Sequence, residues 1–156
     1  LSQHPFNCVY IDLEIHPEEN RILKVGAWDP GKECCFYRSG KFDPAATARE
    51  LLDFISDHDF IVGHNIIEYD WSSLCDLDQS FEALRKKLID TLILNPLAFP
   101  ANPYHRLVKD YKLQKESVND PVEDSKQTEK LFIDQCDAFL ANCTLSGIYG
   151  LLLKSL

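Results

Sequence analysis

Asp12 and Glu14 stand two residues apart at the end of Val9-Tyr10-Ile11-Asp12-Leu13-Glu14, whose β-branched and aromatic residues have the character of a buried strand. Side chains alternate faces along a strand, so the two acids share one face and Leu13 takes the other. Carboxylates ~6 to 7 Å apart on one rigid edge repel each other in a dry site. A divalent cation relieves that repulsion, and Mg²⁺ and Mn²⁺ prefer carboxylate oxygens. The competing reading is a strand end where both acids face water.

Further acids follow along the chain. Phe60-Ile61-Val62-Gly63 reads as a short buried strand that runs out into Gly63-His64-Asn65-Ile66-Ile67-Glu68-Tyr69-Asp70. The C-terminal edge of such a strand is where open α/β sheets place their sites. Asp70 is expected to begin a helix with Trp71 and Leu74 packed inward, either as a site residue or as a capping acid. Asp90, in Leu88-Ile89-Asp90-Thr91-Leu92-Ile93-Leu94, reads as a structural cap or turn acid. Glu123 and Asp124 fall in the first turn of the longest helical pattern, where the helix dipole favours either. Between them, residues 104–115 reverse the local charge, with His105, Arg106, Lys109, Lys112 and Lys115 among Tyr104 and Tyr111. That run suits a solvated helix face or a phosphate backbone with bases stacked beside it.

The elements that must position these residues follow from pattern and turn chemistry. Arg21 to Trp28 reads as a second strand and Cys34 to Arg38 as a third, with a tight turn at Asp29-Pro30-Gly31-Lys32 that makes the first three strands an antiparallel meander. Asp43-Pro44 opens a helix running to Asp57, with Leu51, Leu52, Phe54 and Ile55 on its apolar face. Strand, helix and buried strand make an α/β unit with at least one parallel pair. Leu88 to Leu94 is expected to be an edge strand leading into a helix. Pro121 to Leu140 is expected to be a long helix burying Val122, Leu131, Phe132 and Phe139, and Thr144 to Leu153 a last apolar helix.

The 156 residues fit one domain, expected to be cut from a longer protein. A composition 45% apolar and 26% charged is that of a globular chain, with no apolar run near the ~20 residues that cross a bilayer. Six cysteines without a Cys-x-x-Cys pair argue against zinc or a disulfide framework and predict a reducing, cytoplasmic setting. A net charge of −9 argues against a broad nucleic-acid surface, though not against a narrow site where cations carry a phosphodiester.

In their order, the acids resemble the DEDD, or DnaQ-like, superfamily of 3′-to-5′ exonucleases. Tyr-Ile-Asp-Leu-Glu is similar to its first motif and Gly-His-Asn-Ile-Ile-Glu-Tyr-Asp to its second. Ile-Asp-Thr-Leu matches the strand between motifs, and Val-Glu-Asp-Ser-Lys-Gln-Thr-Glu-Lys-Leu-Phe the helix of the third. The likeness spans Cys8 to Phe132. It implies a ribonuclease-H-like α/β fold, a five-stranded mixed sheet flanked by helices. It also implies two Mg²⁺ or Mn²⁺ ions held by Asp12, Glu14, Asp70 and Asp124, acting on the 3′ ends of single-stranded DNA or RNA. Glu14 would receive the 3′-hydroxyl and Leu13 would wedge against the terminal base. His64 and Asn65 would line the substrate loop, with His64 more a support of the loop than a ligand. Tyr69, also placed at the substrate, would mainly pack. His105, Arg106 and Lys109 would meet the strand. A fused or associated helicase or polymerase is an expected partner, and a membrane is not.

One position departs from the pattern. In the histidine branch (DEDDh), to which the chain is closest, a general base lies five residues before the last acid, and here that is Asn119. The tyrosine branch places it four before, at Asp120. An amide can orient water but cannot take its proton at neutral pH, and losing a general base costs about 10² to 10⁴ in rate. Three explanations stay open. The chain works naturally with Asn119, with Asp120 or His105 as base; or it carries an inactivating change; or it is a degenerate nuclease fold that binds strands or a partner protein without cutting.

Overall fold

The computed structural model describes residues 6–19, 21–101 and 120–141. Five strands form one mixed sheet in the order β3-β2-β1-β4-β5. They are β1 (Cys8–Ile15), β2 (Ile22–Asp29), β3 (Cys34–Ser39), β4 (Phe60–Gly63) and β5 (Leu88–Asp90). β1 pairs antiparallel with β2, and β2 with β3, which is the expected meander. β4 lies parallel to both β1 and β5, so the crossover through α1 (Pro44–Ile55) supplies the expected parallel pair. With α2 (Trp71–Leu77), α3 (Thr91–Ala98) and α4 (Pro121–Ala141) the whole is α/β, consistent with a ribonuclease-H-like arrangement.

The sheet's period of two sorts the core. Val9, Ile11 and Leu13 point to one face and are covered by Ala48, Leu51 and Ile55 of α1 and by Trp71 and Leu74 of α2. Cys8 and Tyr10 point to the other and meet Phe132 of α4. Asp12 and Glu14 continue that second row. α1 begins as expected: Asp43 accepts the Ala46 N–H at 3.0 Å, and Pro44 fills the first turn where no donor is needed. It ends at Ile55, two residues short of the expected Asp57, with Ser56 N–H closing on Leu52 O.

α4 buries Val122, Thr128, Phe132, Gln135 and Phe139, and Leu131 is only half-buried because it lies beside that stripe. The β2–β3 turn lies one residue later than expected. It takes Pro30 to Glu33, and Glu33, not Gly31, adopts the positive φ of 51°. Asp29 Oδ1 accepts the Lys32 N–H at 3.1 Å across it. Cys8, Cys34, Cys35, Cys75 and Cys136 are free thiols. Among the described residues no helix is long and apolar enough to cross a membrane. The basic run from Tyr104 to Lys115, Asn119 and the expected helix Thr144 to Leu153 lie outside the described residues, so His105, Arg106 and Lys109 do too.

Candidate metal centre

The centre is assembled by the seating of α4 on β2. Gly26 pairs with Asp12 in the register, and a Cβ there would fall 2.5 Å from the Pro121 carbonyl carbon and 2.6 Å from Val122 N. Only glycine lets the helix backbone come so close. Ser125 fastens the contact, its hydroxyl 2.7 Å from Pro121 O and 3.4 Å from Gly26 O. Asp120 accepts the Val122 N–H at 3.0 Å and starts the helix. Asp124, in the first turn, then arrives above β1. Carboxylate oxygens of Asp12, Glu14 and Asp124 all lie within 4.8 Å of one another, each residue half-buried. Three such oxygens from a strand and a helix 110 residues apart along the chain can hold a metal ion.

Asp70 is not in that group of three, but it adjoins it. It is 5% exposed, in the αR conformation, and makes no capping hydrogen bond from its side chain, so the capping reading fails. The reason is local. Ile66–Asp70 forms a π-helical turn that runs on into α2, so Asp70 enters the helix already wound rather than opening it. The wider turn also rotates Tyr69 outward to 61% exposure, correcting the expectation that it mainly packs. Burial pushes the Asp70 carboxyl up to about 8, and the neighbouring Asp90 and Glu14 carboxylates add to the rise. A carboxyl with two acidic neighbours in a dry setting is one that a cation would ionise.

Asp90 is the cap the sequence suggested and does more besides. Its Oδ1 accepts the Leu92 N–H at 2.9 Å, opening α3. The same carboxylate accepts Asn65 N–H at 2.9 Å and Ile67 N–H at 3.1 Å. These bonds hold Asn65 in the left-handed conformation, φ 63°, that turns the chain off β4 towards Asp70. Nothing local in the sequence signals this, because the partners lie 25 and 23 residues away.

His64 is also a support of the loop. Thr91 donates its hydroxyl to Gly63 O at 3.3 Å and therefore accepts from His64 Nδ1, 2.9 Å away. Burial holds His64 below its ordinary value, against the pull of Asp90. Leu13 corrects an expectation. It is 7% exposed and packed in the core on the face opposite the acids, where it cannot wedge against a base at their site. The important residue that sequence reasoning passed over is Gly26, whose only signal is a glycine inside a strand.

On the other face of the β1–β2 hairpin, a cavity of 610 Å³ is lined by Arg21, Ile22, Phe42, Ser73 and Leu77, among others. No family model matches this chain, and neither does any curated protein.

Proposed function

We propose that the chain is a metal-dependent 3′-to-5′ exonuclease of the DEDD type, with Asp12, Glu14, Asp70 and Asp124 holding two Mg²⁺ or Mn²⁺ ions. The observation that carries the reading is the meeting of Asp12, Glu14 and Asp124 within 4.8 Å, with Asp70 close by, its carboxyl raised by burial first, then by Asp90 and Glu14. The donor set fits the ions, since it is all oxygen and arrives from rigid elements. When bound, two ions would activate water, neutralise the scissile phosphate and stabilise the leaving oxygen.

The chain's own residues do the holding. β1 fixes the spacing of Asp12 and Glu14, and α4 swings Asp124 against them through the Gly26 contact. Asp90 fixes the segment from which Asp70 reaches in. In this reading Glu14, near the end of β1, accepts a hydrogen bond from the terminal 3′-hydroxyl. Exposed Tyr69 offers surface to the bases. The partners this reading gives are single-stranded DNA or RNA 3′ ends, presented by a fused or associated helicase or polymerase.

A 3′-labelled single strand incubated with Mn²⁺ is expected to release mononucleotides. Asp12→Ala is expected to lower that rate about 10³-fold or more. Asn119→His is expected to raise it, because the amide is no base. A label that survives long incubation at high protein, with Asn119→His restoring release, would reject turnover by the chain as it stands. The amide at residue 119 favours a second reading, strand binding without cutting. It is expected to show metal-dependent affinity that weakens when Arg106 or Lys109 is changed.

A further inference from the structure

β2 presents Trp28, Gly26 and Lys24 in turn on the face that carries the acids. Gly26 faces α4, and residues two apart on a strand share a side. Trp28 supports the assignment by donating its indole N–H to Glu129 of α4 at 2.6 Å. Lys24 pairs directly with Glu14 in the antiparallel register, one step beyond the Asp12–Gly26 pair, and is half-buried. Side chains so opposed have Cβ atoms about 4.5 to 5.5 Å apart, which puts the ammonium within reach of anything bound between Glu14 and Asp12.

We infer that Lys24 contacts the phosphodiester handled at the carboxylate cluster, an inference that rests on the exonuclease reading above. The charges favour it. Four carboxylates balance two divalent ions, so an entering phosphodiester brings a negative charge beyond what the ions offset. An ammonium on a flexible four-carbon stem beside Glu14 provides that offset. The same charge repels divalent ions at the cluster. Lys24 therefore strengthens strand binding and weakens metal binding, two effects of opposite sign. A purely structural role, bracing Glu14 across the strands, gives no such opposition: its loss leaves metal affinity unchanged or lower.

The test compares the wild-type chain with Lys24→Gln and Lys24→Arg. Mn²⁺ binding is followed by calorimetry, and binding of a short 3′-labelled oligothymidylate is measured in Ca²⁺. For Lys24→Gln, Mn²⁺ affinity is expected to rise about threefold to tenfold and oligothymidylate affinity to fall about tenfold. Lys24→Arg, which keeps the charge, is expected to stay near wild type in both. Loss or constancy of both affinities in Lys24→Gln overturns the inference. If the wild type binds oligothymidylate and Lys24→Gln binds it equally well, this inference fails alone. If the wild type binds Mn²⁺ but no oligothymidylate, the nuclease reading fails and takes this inference with it.

Discussion

Asp29 and Asp70 are buried to nearly the same degree, 2% and 5% exposed, at opposite ends of the sheet, yet their carboxyls move in opposite directions. Burial pushes both up. At Asp29 the Lys32 backbone N–H, 3.1 Å from Oδ1, and His58 Nε2, 3.1 Å from Oδ2, outweigh burial and hold the carboxyl below its ordinary value. Around Asp70 the neighbours are Asp90 and Glu14, and the carboxyl rises to about 8. One end of the sheet brings donors to its buried acid, as stable folds do. The other gathers further acids around its own, an arrangement typical of sites that bind or react.

The sharpest way to break this contrast is to neutralise each acid in turn. Asp29→Asn leaves His58, 2% exposed, facing an amide in place of a carboxylate. Weakening such a buried polar contact is expected to destabilise the chain by about 1 to 3 kcal/mol, read by urea unfolding. Asp70→Asn is expected to do the opposite to the metal-free chain at pH 8. It removes a buried charge and so holds or raises stability, while Mn²⁺ no longer protects against unfolding. Equal losses in the two variants would erase the distinction between the two ends.

A second test moves an acid without touching its charge. In Gly26→Ala the added Cβ meets Pro121 and Val122 backbone at 2.5 to 2.6 Å, and backbone cannot rotate away as a side chain can. α4 must lift. A loss of about 1 to 3 kcal/mol is expected, together with weaker Mn²⁺ binding because Asp124 is carried off the strand acids. Unaltered Mn²⁺ affinity with lowered stability would show that the helix start is not what sets the cluster.

How far these features were legible in the sequence depended on how local their causes are. Alternation along one strand was enough to put Asp12 and Glu14 on one face, and the Asp43-Pro44 pair to place the start of α1. A regular helical turn at Asp70 is what the sequence alone leads one to expect. The π-helical turn at Ile66–Asp70 removes the capping reading of Asp70, burying the acid without a cap, and leaves the Tyr69 ring exposed instead of packed. The double duty of Asp90 and the fit of Gly26 under Pro121 depend on contacts 23 to 95 residues apart, which no window of sequence contains. Only the resemblance puts Leu13 at the substrate, whereas the alternation that pairs the acids turns it towards the core.

The smallest expected effect separates the two acids by pH. With a folded value of about 8, Asp70 is protonated at neutral pH in the metal-free fold, and it is ionised in the unfolded chain above its ordinary 3.8. Folding therefore takes up a proton, so stability declines as pH climbs from about 4 to about 8 and levels beyond. Asp29 runs the other way, its stabilisation present at neutral pH and lost only as the medium falls below its ordinary 3.8. In the proposed two-ion site Asp70 holds a cation only when ionised, so loading expels its proton. Apparent Mn²⁺ affinity is expected to rise about tenfold, or about 1.4 kcal/mol, per pH unit between roughly 6 and 7, then flatten near 8. Calorimetry in two buffers of different ionisation enthalpy counts the proton released. In Asp70→Asn both the slope and the released proton are expected to vanish, whereas Asp29→Asn keeps them. A slope that survives in Asp70→Asn would mean that the proton leaves from another group, and that the acid's raised value has no part in loading the metal.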